Sequence, residues 1–286
     1  MKNIILVIKG FFMGIANVIP GVSGGTIAII LGIYEKFISS ISNIFKNLKE
    51  NLKFLIPIVI GMGLAIITTS KVVGYSYDHF PLPTIMFFVG LVFGGIPLLM
   101  KNVKGKKESK ELSSYIIFII TFLLVLFMAS YKLIFSLNNE VSFTSMNLGG
   151  YILLFIVGIV AAATMVIPGI SGSLVLMILG YYYPVIDTIN NLFNGDFIHN
   201  AIILGIFGIG IVIGILLISK ILEMLFKNYN TKTYFGVLGF VFASIIAIPL
   251  SACVELGSIP TDITQIIVSL VMIVAGTIIS YNLGEK

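Results

Sequence analysis

The chain has 286 residues, 58% of them hydrophobic and only 10% charged, with a mean hydropathy of +1.12. Soluble domains carry about 25% charged residues, so a surface this poor in charge does not face water. The net charge of +5 comes from 17 lysines and no arginine, against 12 acids, which in so apolar a chain marks membrane-helix ends and not a nucleic-acid surface. One cysteine, Cys253, excludes an internal disulfide framework, and His79 and His199 lack metal-ligand spacing, so neither a metal nor a cofactor is expected.

Crossing about 30 Å of hydrocarbon takes about 20 apolar residues. Eight apolar blocks qualify, at roughly 4–34, 54–70, 82–100, 114–135, 149–183, 201–226, 234–250 and 263–283, divided by polar breaks such as 35–53 and 101–113. Lys2 ahead of an apolar run looks like the start of a signal peptide. No small-residue cleavage site follows, however, and the block continues past Pro20.

The blocks form two sets of four. VIPGVSGGTIAIILGIY at 18–34 aligns with VIPGISGSLVLMILGYY at 166–182, an offset of 148. GLVFGGI at 90–96 resembles GFVFASI at 239–245, and Ser70-Lys71 resembles Ser219-Lys220. The whole chain, 1–286, therefore reads as a single integral membrane domain with repeat one at about 4–135 and repeat two at about 149–283.

Lysine placement sets the topology. If block one is a hairpin that returns to its own side, every lysine except Lys71 and Lys132 falls on the cytoplasmic side, together with both termini. If block one crossed once, the lysines of 36–53 and 101–110 would all be external. Each half then has three ordinary crossings, an odd number, so the halves are inverted. The expected fold is an all-α polytopic membrane protein of two inverted-topology repeats, each a broken or re-entrant helical hairpin plus three transmembrane helices. Residues 4–19 make about 24 Å of helix, which leaves a re-entrant dip and two short spans both open.

The hairpin tips carry the chemistry. Pro20, Gly21, Ser23, Gly24, Gly25 and Thr26 form one, and Pro168, Gly169, Ser171, Gly172 and Ser173 the other. Irregular backbone at membrane depth is tolerated only when buried in protein or lining a wet cavity. Two such tips would present amide N–H groups and hydroxyls at helix starts, which suits an anion such as phosphate or carboxylate. Small residues also permit close helix packing, and the glycines at 61, 63, 205, 208, 210 and 214 read as such surfaces. Asn17 precedes the first tip where the second has Met165, so any role there is asymmetric. Lys9 lies within an apolar block and can snorkel to the headgroups, while Lys71 and Lys220 end equivalent helices and could attract an anionic headgroup on either face. Tyr34 and Tyr181–Tyr183 read as an interfacial belt.

The paired motifs Pro-Gly-Val-Ser-Gly-Gly-Thr at 20–26 and Pro-Gly-Ile-Ser-Gly-Ser at 168–173, in a chain of this length, resemble the PopT family of bacterial and archaeal membrane proteins. The resemblance covers essentially the whole chain. It implies a cell-membrane flippase, not an enzyme, that translocates undecaprenyl phosphate to recycle the lipid carrier of cell-wall biogenesis. Its partners would be the polyprenyl phosphate lipid and the bilayer. Asn17, Gly21, Ser23, Gly24, Gly25, Thr26, Gly169, Ser171, Gly172 and Ser173 would receive the phosphate. A transporter of a small soluble anion is the alternative. A third reading is an undecaprenyl-pyrophosphate-phosphatase-like enzyme, whose similar motif carries arginine where this chain has Gly24 and Gly172. Phosphoryl transfer wants cationic or metal clamps, and 1–34 and 149–183 hold no Asp or Glu.

Overall fold

A computed structural model describes residues 2–18, 22–134, 141–144, 146–194, 196–256 and 262–284, and these are all-α. The helices are α1 (Lys2–Val18), α2 (Gly24–Ile30), α3 (Tyr34–Ser42), α4 (Leu48–His79), α5 (Pro81–Val103), α6 (Leu112–Ile134), α7 (Leu148–Val166), α8 (Gly172–Ile178), α9 (Tyr182–Asn190), α10 (Phe197–Asn228), α11 (Asn230–Leu256) and α12 (Ile263–Gly284), with a 3-10 turn at Lys107–Lys110. Seven of them, α4, α5, α6, α7, α10, α11 and α12, are long and apolar enough to cross a membrane.

The order of lengths in α1–α6 recurs in α7–α12. α1 and α7 have 17 and 19 residues, α2 and α8 have 7 each, α3 and α9 have 9 each, and α4 and α10 have 32 each. The short helices stop for the same local reason. Leu-Gly-Ile-Tyr at 31–34 and Leu-Gly-Tyr-Tyr at 179–182 put Gly32 (φ +66°) and Gly180 (φ +77°) in the left-handed region after the last helical turn. The Gly32 and Ile33 N–H groups donate back to Ile29 and Ala28, and those of Gly180 and Tyr181 to Met177 and Leu176. Both are Schellman caps, which only a residue without Cβ closes without strain. The chain then re-enters a helix at a new angle, 107° between α8 and α9.

Long helices pair through glycines that let backbones touch. A Cβ on Gly61 of α4 would lie 2.0 Å from the Val7 carbonyl oxygen of α1, and one on Gly210 of α10 would lie 2.4 Å from that of Phe155 on α7. The last helix of each half packs on the other half: α12 lies against α5 and α6 against α11. Gly90 of α5 meets Ile273 of α12, and its counterpart Gly239 of α11 meets Phe118 of α6. The faint match at 90–96 and 239–245 thus marks two equivalent crossings. Three of the glycines read as packing surfaces are not: Gly63, Gly205 and Gly208 have nothing within 4 Å of an added Cβ. Their helical turns face outward, where no neighbour comes close enough to demand a missing side chain.

Polar contacts gather the lysine-rich segments at one end. Lys106 Nζ donates to Asn230 Oδ1 (2.8 Å), Lys232 pairs with Glu111 (2.8 Å), and the Thr231 hydroxyl donates to Glu108. The ammonium of Lys232 holds the Glu111 carboxyl below the usual carboxylate range. The polar break at 35–53 is therefore not a loop. It holds most of α3 and the first turn of α4. The base of the first hairpin, α3, sits against Glu223 near the C-terminal end of α10. The segment leading into the second hairpin sits at the other end, where His199 Nε2 lies 2.8 Å from the Phe143 carbonyl oxygen and the Val141 N–H donates to Gly180. His199 and Glu223 are about 36 Å apart along one helix.

Candidate functional site

α1 and α7 are about 26 and 28 Å long, so each carries its tip roughly to the middle of the molecule from its own end. Pro20 and Gly21 lie outside the described residues. From Ser23 onward the first tip is closed by its own side chains. Ser23 caps α2, its Oγ accepting from the Gly25 N–H (3.2 Å), and Asn17 at the end of α1 accepts the Gly24 N–H on Oδ1 (2.8 Å). Thr26 Oγ1 accepts the Gly169 N–H of the second tip (2.8 Å), and the Tyr34 hydroxyl donates to the Val166 carbonyl (3.1 Å). The two tips therefore touch directly. A Cβ on Gly25 would lie 2.8 Å from the Val166 oxygen, and one on Gly169 (φ +78°) 2.5 Å from the Phe240 oxygen of α11. Both glycines are present because backbone occupies the space.

This corrects the simplest picture of the amides. The Gly24, Gly25 and Gly169 N–H groups are not open donors, because Asn17, Ser23 and Thr26 already accept from them. Buried N–H groups find partners, and short polar side chains next to a glycine are the nearest available. What remains open is a cavity of about 80 Å³ between the tips, lined by Asn17, Ser23, Met165, Ser171, Gly172 and Ser173 and floored by Val22 and Ile170. Ser171 Oγ lies 2.8 Å from Ser173 Oγ, so one hydroxyl donates to the other and the acceptor's own hydrogen is free to turn toward a guest. Since Asn17 spends its oxygen on Gly24, its Nδ2 is left as a donor. Among the described residues, no charged side chain lines the cavity. Asn17 and Met165 are exposed, which makes theirs the open flank, whereas Ser23 and Ser171 are buried.

The tips also differ in one matched position. Asn17 presses on Gly24, and its counterpart Met165 presses on Gly172, where a Cβ would lie 2.3 Å from Met165 Cγ. One flank of the cavity is thus an amide and the other a thioether.

The lysines do not join this cavity. Lys9 is half-buried and its ammonium is turned toward the first hairpin. Its Nζ donates to the Leu31 carbonyl at the end of α2 (2.8 Å), because that carbonyl has no intrahelical partner and Lys9 lies within reach on the adjacent arm. Lys71 and Lys220 are exposed on α4 and α10, at equivalent positions away from the tips. The interfacial belt is also revised. Tyr34 and Tyr181 are buried, Tyr34 edge-on to Phe226 and Tyr181 against Phe143, and of the four tyrosines only Tyr183 is exposed. A hydroxyl that reaches a backbone carbonyl removes the cost of burying the ring's polar end. Sequence reasoning also missed the Tyr34 link to Val166; the matched Tyr34 and Tyr182 within the repeat were its only trace.

Seven apolar helices of spanning length define a multi-pass membrane protein, in which the residues of the two tips line one small polar cavity. The chain belongs to the VCA0040-like, undecaprenyl phosphate translocase-like family, whose model matches residues 13–256. Two relatives are both described as polyprenyl-phosphate transporters. One, from Staphylococcus aureus (strain NCTC 8325 / PS 47), is 34% identical over 284 residues, covering 98% of this chain and 95% of the relative. The other, from Vibrio cholerae serotype O1 (strain ATCC 39315 / El Tor Inaba N16961), is 31% identical over 252 residues, covering 83% and 75%. Both are described as transporters and not as enzymes. No solved structure matches the chain.

Proposed function

We propose that this protein flips undecaprenyl phosphate across the cell membrane and so returns the lipid carrier of cell-wall precursors for reuse. The observation that carries this reading is the neutral polar cavity formed where the two tips meet. Two re-entrant hairpins enter from opposite faces, and the halves are inverted; the hairpin bases at opposite ends of α10 support this. The lysine-rich end is cytoplasmic, as are both termini, by the positive-inside bias.

The phosphate leaves water at one face and exchanges its hydration for the Asn17 Nδ2 and the Ser23, Ser171 and Ser173 hydroxyls. Hydrogen bonds from neutral donors to a charged phosphate contribute roughly 1.5–3 kcal/mol each, and these donors bring no opposite charge of their own. A bidentate cationic clamp would bind more tightly and release more slowly. The polyprenyl tail stays in lipid, leaving the site by the exposed flank between Asn17 and Met165. Rocking of one half against the other exposes the site to alternate faces. Hydrolysis has no support in the cavity lining, which holds no acid, base or cation to act on phosphorus.

The test is flux of a fluorescent undecaprenyl phosphate in proteoliposomes. Ser23→Ala combined with Ser171→Ala is expected to abolish accelerated movement while the protein keeps its helical content. Wild-type flux from that double variant refutes the tip site. Flux of phosphate alone, unaffected by polyprenyl phosphate, would assign the site to a small soluble anion.

A further inference from the structure

The halves repeat helix by helix, yet the two seams between them are not equivalent. At the lysine-rich end, α3 lies along α10 and Glu223 holds it there. The Ser42 hydroxyl donates to Glu223 Oε2 (2.5 Å), the Ser39 hydroxyl to Oε1 (3.3 Å), and Asn43 Nδ2 also to Oε1. Beside this cluster, Glu35 accepts from the Tyr234 hydroxyl (2.5 Å) and from Asn230 Nδ2 (3.5 Å). A cavity of about 250 Å³ lies behind the seam, lined in part by Tyr34, Asn102, Tyr234 and Val237.

The counterpart of this seam is α9 against α4, and among the described residues these two helices do not pack as α3 and α10 do. The internal features of α9 are otherwise the same. Asn43 Nδ2 donates to the Ser39 carbonyl and Asn51 Nδ2 to the Asn43 carbonyl; at the matched positions, Asn191 donates to Asp187 and Asn200 to Asn191. What differs is the receiving helix. The position on α4 that corresponds to Glu223 is Gly74, and a Cβ there meets nothing within 4 Å. Most of α4 beyond Ala65 is exposed.

We propose that the α3–α10 seam is a gate latched by Glu223, and that the α4–α9 seam is its weaker counterpart, so the closed gate at the lysine-rich end is held by a carboxylate whose place on the other seam is taken by Gly74. Two bonded seams of equal strength would favour neither state. A carboxylate on one side alone biases the resting protein toward closure at the lysine-rich end, and transport proceeds as α3 leaves α10 while α9 closes on α4. This inference rests on the translocation reading, and its first readout does not need transport.

In a Cys253→Ala background, Val237→Cys places a thiol at a site 3% exposed behind the gate. Its reaction with a membrane-impermeant maleimide reports opening. Glu223→Gln, which removes the charge-assisted bonds but keeps the shape, is expected to raise the labelling rate roughly tenfold. Gly74→Glu, which supplies a carboxylate to the opposite seam, is expected to raise it as well. Unchanged labelling in both variants overturns the gate, as does equal labelling of the parent and of the fully unfolded chain. In the second arm, Ser42→Cys with Glu223→Cys is bridged by a short bis-maleimide, and the bridged protein is expected to lose flux of fluorescent undecaprenyl phosphate. Undiminished flux after complete bridging overturns the proposal. A labelling response in proteoliposomes that show no flux even with the parent protein overturns the translocation reading and leaves the gate standing.

Discussion

Thr26→Val probes the junction of the two tips while changing almost no volume. Thr26 is 2% exposed, and its hydroxyl oxygen is the acceptor for the Gly169 N–H at 2.8 Å. Valine removes the acceptor and leaves that N–H buried, where an unsatisfied donor costs about 1–3 kcal/mol. Gly169 cannot turn away to find another partner, because its backbone is pressed against the Phe240 carbonyl and holds a φ of +78°. The cost falls on the arrangement in which the tips touch, which shifts its population by about 5- to 150-fold. Thr26→Ser is the control, since it keeps the acceptor and loses one methyl, about 0.8 kcal/mol of apolar burial. Thermal unfolding in detergent and flux in proteoliposomes should both rank wild type above serine and serine above valine. A valine variant equal to or better than serine in both assays would refute the claim that this bond joins the tips.

The glycines divide by what surrounds them. Gly61→Ala forces α1 and α4 apart and should lower thermal stability by about 1–3 kcal/mol, whereas Gly208→Ala fills open space in a helix and should raise it by about 0.5–1 kcal/mol, both read from unfolding midpoints. Asn17→Met makes the cavity flanks alike and removes a donor, so flux should fall well below that of Met165→Asn, which adds one; equal flux in the two would show that the amide has no part in binding. Lys9→Met keeps the stem and deletes the ammonium that caps Leu31, so stability should drop by about 1 kcal/mol with flux per folded molecule unchanged. Lost flux at full stability would instead restore Lys9 to a headgroup role.

Much of the architecture is legible in the residues because membrane insertion imposes coarse rules. Apolar runs of spanning length, lysines clustered between them, and Pro-Gly-x-Ser-Gly recurring at an offset of 148 need no partner to be recognised. The meeting of Ser23, Asn17, Ser171 and Ser173 at one cavity agrees with the tips expected from those motifs. The failures share a cause. Gly61 and Gly63 are alike in sequence, and only the approach of Val7 makes the first necessary and leaves the second idle. Tyr34 and Tyr181 look like interface residues by type, yet each is buried beside a partner brought by another segment. Glu223, which no motif singles out, gathers three donors from α3 and its C-cap Asn43, 180 to 184 residues away.

By itself the sequence determined the membrane setting, the repeat and the polar tips, because hydropathy, internal identity and glycine-proline chemistry are properties of neighbouring residues. The tertiary structure decided which tip amides are already satisfied, that Asn17 and Met165 flank one cavity, and that Glu223 accepts from Ser39, Ser42 and Asn43. Apart from the Gly24 and Gly25 amides, whose acceptors lie within seven residues, those outcomes depend on distances between segments more than 100 residues apart, and the sequence carries no local signal for them.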